Sequence, residues 1–307
     1  MKNHNRINSA LLQGATGAPG ASSAEGLPSA SRTERSPMLG TAGTLAAAVT
    51  AGLLSIVSPA VCAQSQVASP SASEGLAGGT SQWALGIGVG VRERAYLDAD
   101  RKVNALPLLF YENRYVRVAG TTVEGKLLNY SLSPTQRVTG GLLLKYALEG
   151  YKSSDSPALS GMAERKGGFM GGVGLGWQTP LANLGLEWTS DLSSHSKGQR
   201  LQVQVDRRFQ MGAASLTPRL GAAWMDRKWV DYYYGVRAGE ALPGRPAYEG
   251  DAGVALEVGM RMDYAIQRQH VIFVDLGLTH LPKEATNSPI VERSNLPRVS
   301  VGYLYRF

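Results

Sequence analysis

From Gln82 onward the chain alternates. Trp83, Leu85, Ile87, Val89 and Val91 are apolar, and Ala84, Gly86, Gly88, Gly90 and Arg92 between them are small or polar. A period of two puts every second side chain on one face, so the segment predicts a strand with a single greasy side. The same rhythm returns in Leu184, Leu186, Trp188 and Leu192, in Leu201, Val203 and Val205, in Val254 through Tyr264, and in Val299, Val301, Tyr303, Tyr305 and Phe307. Between the apolar positions stand Gly, Ser, Thr, Gln and the charged residues, so the second face is polar throughout.

Read this way, strands fall near 82–92, 103–111, 114–121, 124–133, 136–149, 168–178, 182–192, 199–209, 214–225, 251–264, 270–279 and 297–307. Several reach the length a tilted strand needs to cross a bilayer, with aromatic residues near their ends, which favours a membrane barrel over a soluble sandwich of shorter strands. Links after even-numbered strands are short, as at Glu112-Asn113 and Pro134-Thr135, whereas 93–102, 150–167, 226–250 and 280–296 are long links after odd-numbered ones. Two odd links, near Thr122 and at Ser193 to Gly198, break that contrast. The expectation is an all-β, transmembrane, antiparallel up-and-down β-barrel of about twelve strands over 81–307, with both termini periplasmic. In lipid every backbone group has to pair, so such a sheet must close.

The segment ahead of the barrel reads as targeting sequence. Lys2, Arg6, Arg32 and Arg35 precede an apolar run from Met38 to Val57, then Pro59 and Val61-Cys62-Ala63. That layout predicts a signal peptide over 1–63 cleaved after Ala63, followed by a Ser, Ala, Gly and Pro-rich flexible leader over 64–80. A lipoprotein signal using Cys62 is the rival, and Met38 is an alternative start. Cys62 is the single cysteine, so cleavage leaves neither disulfides nor thiolate metal sites. The formal charge of +7 is spread along the chain, which fits solvated loops better than a nucleic-acid surface.

Tyr232-Tyr233-Tyr234-Gly235-Val236, Glu240-Ala241, Arg245-Pro246-Ala247-Tyr248, Ser288-Pro289-Ile290-Val291 and the ending Gly302-Tyr303-Leu304-Tyr305-Arg306-Phe307 occur in that order. This combination resembles the MipA/OmpV family of outer-membrane proteins, with weaker echoes at Gly161-Met162 and Pro107-Leu108-Leu109-Phe110-Tyr111. The resemblance implies an outer-membrane barrel of the Gram-negative cell. It also implies a non-enzymatic scaffold or interaction protein of the envelope, whose partners are a lytic murein transglycosylase and a penicillin-binding protein of peptidoglycan metabolism. A porin-like diffusion channel and an adhesin are the alternatives, and a hydrolase at the barrel rim is more distant.

Four groups of residues are candidates for function. Tyr303, Tyr305 and Phe307 form the aromatic face of the closing strand, against lipid, and the resemblance adds a role as the signal read by the barrel-assembly machinery. Trp229, Tyr232, Tyr233, Tyr234, Arg237, Arg245 and Tyr248 suit either a contact surface or packing within their own loop. By parity Glu187, Asp191, Asp206, Glu257, Asp263 and Asp275 face the lumen, against Arg117, Lys145, Arg208, Arg219, Arg261 and Arg306. This balance suits a lumen filled by paired side chains better than a pore selective for one sign of ion. Asp191 near His195 is the only hint of a catalytic pair, and a solvated loop histidine is the simpler reading. Gly168 to Gly176 alternates with Met170, Val173, Leu175 and Trp177 and precedes no helix, so it predicts a glycine-faced strand and no phosphate loop. No catalytic, cofactor or metal site is expected.

Overall fold

The computed structural model describes residues 81–307; the signal peptide, its cleavage after Ala63 and the 64–80 leader lie outside the described residues. The described chain forms one antiparallel sheet that closes on itself. Its strands are β1 (Gln82–Arg92), β2 (Lys102–Glu112), β3 (Val116–Ala119), β4 (Thr122–Ser133), β5 (Gln136–Ala147), β6 (Gly168–Gln178), β7 (Asn183–Asp191), β8 (Gln199–Asp206), β9 (Phe209–Met211), β10 (Ala214–Met225), β11 (Gly253–Ala265), β12 (His270–His280) and β13 (Asn295–Arg306). β8 and β9 both pair with β10 and make one interrupted stave, so the barrel has twelve. β1 pairs with β13, Ala84 opposite Arg306 and Arg92 opposite Arg298, and the Phe307 N–H donates to the Trp83 carbonyl at 3.0 Å, sealing the seam.

The polarity is inverted relative to a soluble sheet. Ile87 is 73% exposed, and Leu85, Val89, Val254, Leu256, Val258, Ile272, Val274, Val299 and Val301 share its outward face, while the residues between them point into the barrel. Ring pairs mark both rims: Trp83 with Tyr111 and Tyr305 with Phe307 at the end holding the barrel termini, Tyr146 with Phe169 at the other. Among the described residues no helix is long and apolar enough to cross a membrane. Gly172 of β6 is needed where it stands, since a Cβ there would lie 1.9 Å from the Trp188 carbonyl oxygen.

Two irregularities depart from the alternation. The stave expected at 199–209 breaks at Arg207 and Arg208, opposite Pro218 of β10. The Pro218 carbonyl accepts from Arg207 N–H, so its nitrogen points the same way and has no proton to return. The strand expected at 114–121 is only Val116–Ala119, and it pairs with β2 at Phe110, Tyr111 and Glu112 alone. Beyond the Gly120 N–H, which donates to Leu109, no strand pairs with that side of Lys102–Leu108 among the described residues. Because the Leu109 carbonyl faces this open edge, so do the backbone groups of Val103, Ala105 and Pro107, and the proline removes one donor from it.

Candidate functional site

The long links all leave the end opposite the barrel termini, and they fold together into a cap. Helix α1 (Arg227–Tyr234) starts where the Asp226 carboxylate accepts from Trp229 N–H at 2.9 Å, and it stops at Gly235, whose N–H donates to the Asp231 carbonyl. Its inner face buries Trp229, Val230 and Tyr233 against Met170, Met225, Leu281 and Ala285; Ala285 belongs to the short α2 (Lys283–Thr286). A second apolar cluster joins Tyr96, Tyr151, Leu159, Met162, Val236 and Ile290, so each of the four longest links contributes to it. Burying such side chains is worth about 1.5–3 kcal/mol each.

Polar ties fix the same cap. Arg165, fully buried, donates to both oxygens of Glu240 at 3.1 and 2.7 Å and to the Tyr232 carbonyl at 2.8 Å. Burial alone would raise the Glu240 carboxyl; the Arg165 hydrogen bond and the Ala163 and Arg237 N–H groups outweigh it and hold it at about 2. Arg245 spends its guanidinium on the carbonyls of Glu240, Ala158 and Ser160, stapling two links. Burial pushes the Tyr151 and Tyr234 hydroxyls up to about 12.

The seven aromatic and arginine residues singled out in this loop therefore divide. Trp229, Tyr233 and Arg245 are buried in the cap's own packing; Tyr232, Tyr234 and Tyr248 are half-buried, the Tyr248 hydroxyl donating to the Glu284 carbonyl at 2.9 Å; Arg237 is exposed.

Below the cap the lumen is layered. Nearest the barrel termini, on the nearby staves β2, β12 and β13, lies an apolar cluster of Leu106, Leu108, Phe110, Val271, Phe273 and Leu304. Above it Arg219 meets Asp275 through two parallel bonds at 2.8 and 2.9 Å and lies 3.5 Å from Glu257, which accepts from Arg298 at 2.7 Å. Arg261 pairs with Asp263 at 2.9 Å and stacks 4.0 Å over the Phe273 ring. Between this network and α1 remains a chamber of about 180 Å³, with Glu257 and Arg298 in its floor and Trp229, Tyr233 and Tyr234 in its roof.

The other lumen candidates are scattered. Lys145 meets Glu187 at 2.7 Å, Arg117 lies 3.8 Å from Glu124, and Asp206 accepts from Asn183 at 3.0 Å. Arg208 sits in the β8–β9 break, and Arg306 opposite Ala84 at the seam. Asp191 instead closes the 192–198 turn, accepting from the N–H groups of Ser193, Ser196 and Lys197, and His195 bonds the Gly167 carbonyl, so the two do not form a pair. Tyr303 bonds His270 at 2.6 Å. Arg92, Arg200 and Arg298 were missed, although each falls on the inward parity of its strand. Arg165 and Glu240 sit on separate links 75 residues apart, where no periodicity could join them. Among the described residues no group of three or more His, Cys, Asp or Glu is placed to hold a metal.

The model of the family described as MltA-interacting protein MipA matches residues 85–307. The chain belongs to the MipA family. It is an outer-membrane β-barrel. This MipA-family barrel is 27% identical over 241 residues to the putative outer membrane protein YiaT of Escherichia coli K12, covering 74% of this chain and 92% of that protein. It is likewise 27% identical over 240 residues to the MltA-interacting protein of the same strain, covering 76% and 94%. Among solved structures the NanC porin aligns over 72% of this chain and 98% of its own, with 12% identity and a TM-score of 0.37.

Proposed function

We propose that this barrel is a non-enzymatic interaction protein of the cell envelope, holding a lytic murein transglycosylase, and with it a penicillin-binding protein, at the outer membrane. The observation that supports the reading is how much of the barrel is committed to its own packing: an apolar cluster and a paired ion network on the β10–β2 sector, beneath a cap that joins the four longest links. The relative named MltA-interacting protein, alike over most of its length, supplies the partner class. In this reading the barrel termini and short turns face the periplasm, where murein enzymes work, and the aromatic strand Tyr303, Tyr305, Phe307 is the element offered to the assembly machinery.

The test is cross-linking in intact cells followed by purification of the barrel. A lytic transglycosylase should co-purify, and planar bilayers with the pure barrel should stay silent. Reproducible open steps together with no recovered murein enzyme would replace the scaffold by a diffusion channel.

A further inference from the structure

The chamber beneath α1 has a charge that its walls do not cancel. Arg94 is bonded to Asp155, Glu93 to Arg101, and Arg298 to Glu257. Among the described residues, what is left is two guanidiniums, Arg92 and Arg200, around one carboxylate, Glu149. Arg200 takes one oxygen of Glu149 at 3.0 Å and lies 4.9 Å over the Trp229 ring. Arg92 has, among the described residues, a single long bond, 3.4 Å to the Leu148 carbonyl. Arg92 Nε, Arg200 Nε and the second oxygen of Glu149 are buried without a partner among the described residues. Both guanidiniums are half-buried, and a partly desolvated cation in excess, with its Nε buried and unpartnered, favours an anion beside it.

The rest of the wall defines the body of that anion. Ala95, Met225, Ala255 and Leu281 are apolar, and the rings of Trp229 and Tyr233 close the roof. At about 180 Å³ the space is close to the ~150 Å³ cavity that accepts benzene. One surplus positive charge selects a monoanion, because a dianion would leave the site negative. We infer that the chamber under the cap binds a small monocarboxylate with an apolar body, its carboxylate received by Arg92 against the Arg200–Glu149 pair and its body lying under Trp229.

Benzoate is the probe, titrated calorimetrically into the folded barrel in detergent, with benzyl alcohol as the uncharged match in shape. Benzoate should bind saturably and at least about tenfold more tightly than the alcohol, the worth of one charge-assisted hydrogen bond. Arg92→Gln should weaken benzoate by a similar factor and leave the alcohol unchanged, and Arg92→Lys should keep part of the preference. Ala223→Phe, which fills the chamber and keeps Arg92, should abolish both, and it serves if the Arg92 variants do not fold. Equal affinity for the two probes, no saturable heat from benzoate, or unchanged benzoate binding in Ala223→Phe would each overturn the assignment.

Discussion

Two sectors of the same wall are built to different standards. From β10 to β13 each strand pairs with its neighbour over ten residues or more, and the lumen behind carries the Arg219, Asp275, Glu257 and Arg298 network. From β2 to β4 the ladders shrink to three and four residue pairs, and the charges there are partly exposed: Lys126 with Glu112, Arg117 with Glu124. The difference shows that closure of the barrel does not require uniform pairing. The strong sector is held by backbone and buried charge together. In the weak one, the 93–101 and 148–167 links meet above the open β2 edge through Arg94 with Asp155 and Ser156 with Leu97, and Arg92 reaches from β1 to Leu148 inside it.

The comparison can be broken most sharply at the charges. Asp275→Asn leaves Arg219 buried without its bidentate partner and should cost about 3–5 kcal/mol of unfolding free energy, while Glu112→Gln in the weak sector should cost no more than about 1 kcal/mol. Urea unfolding of both variants in the same detergent measures the contrast, and equal losses would remove it. Proline scanning comes next. Val258→Pro deletes a ladder donor between two paired neighbours and should cost about 3 kcal/mol, whereas Ala105→Pro, whose N–H faces the open edge, should cost about 1 kcal/mol or less. If Ala105→Pro proves as damaging, that edge is paired in the membrane.

The smallest effect concerns the cap above the weak sector. Glu240 has a folded pKa near 2 against an ordinary 4.5, so its stabilising share is complete above about pH 4.5 and disappears as pH falls toward 2. Asp155, held below its ordinary value by Arg94 and the Lys152 N–H against the effect of burial, adds to the same acid loss. Limited proteolysis by an acid protease should therefore cut within 148–167 and 226–252 increasingly below pH 4.5, with the strands intact. Glu240→Gln should lose most of this pH dependence and keep only the smaller share of Asp155, with cutting scaled to that of an unfolded substrate at each pH.

Much of this architecture was written in the alternation. Apolar outward faces, strand positions and long links gathered at one end all follow from a period of two and from where it stops, because side-chain parity and link length are local properties. The weak sector was not legible that way. Val116–Ala119 alternates as well as its neighbours, and what shortens it is the stagger between β2 and β5, a property of the closed sheet. The prolines held a signal that periodicity ignores: Pro107 lies on the open β2 edge, Pro218 opposite the β8–β9 break, and Pro297 beyond the last residue of β1 that β13 pairs. Among the described residues Pro107 faces no partner on that edge, whereas Pro218 and Pro297 each accept from a single N–H opposite, Arg207 and Glu93, at a point where regular pairing stops, and have no proton to return. The chamber was hidden for another reason. Arg92, Arg200 and Glu149 sit at or just past strand ends on three different staves, and only the closed wall turns them toward one space.

The seam between Trp83 and Phe307 also governs time. It joins the first stave to the last, so the contact that seals the wall spans nearly the whole described sequence, and the sheet is closed only once it forms. Until then the nascent sheet carries two raw edges, β1 and β13, each a template for a stranger's strand. Long-range closure of this kind is slow. A barrel closed this way therefore needs those two edges shielded from other chains until they meet.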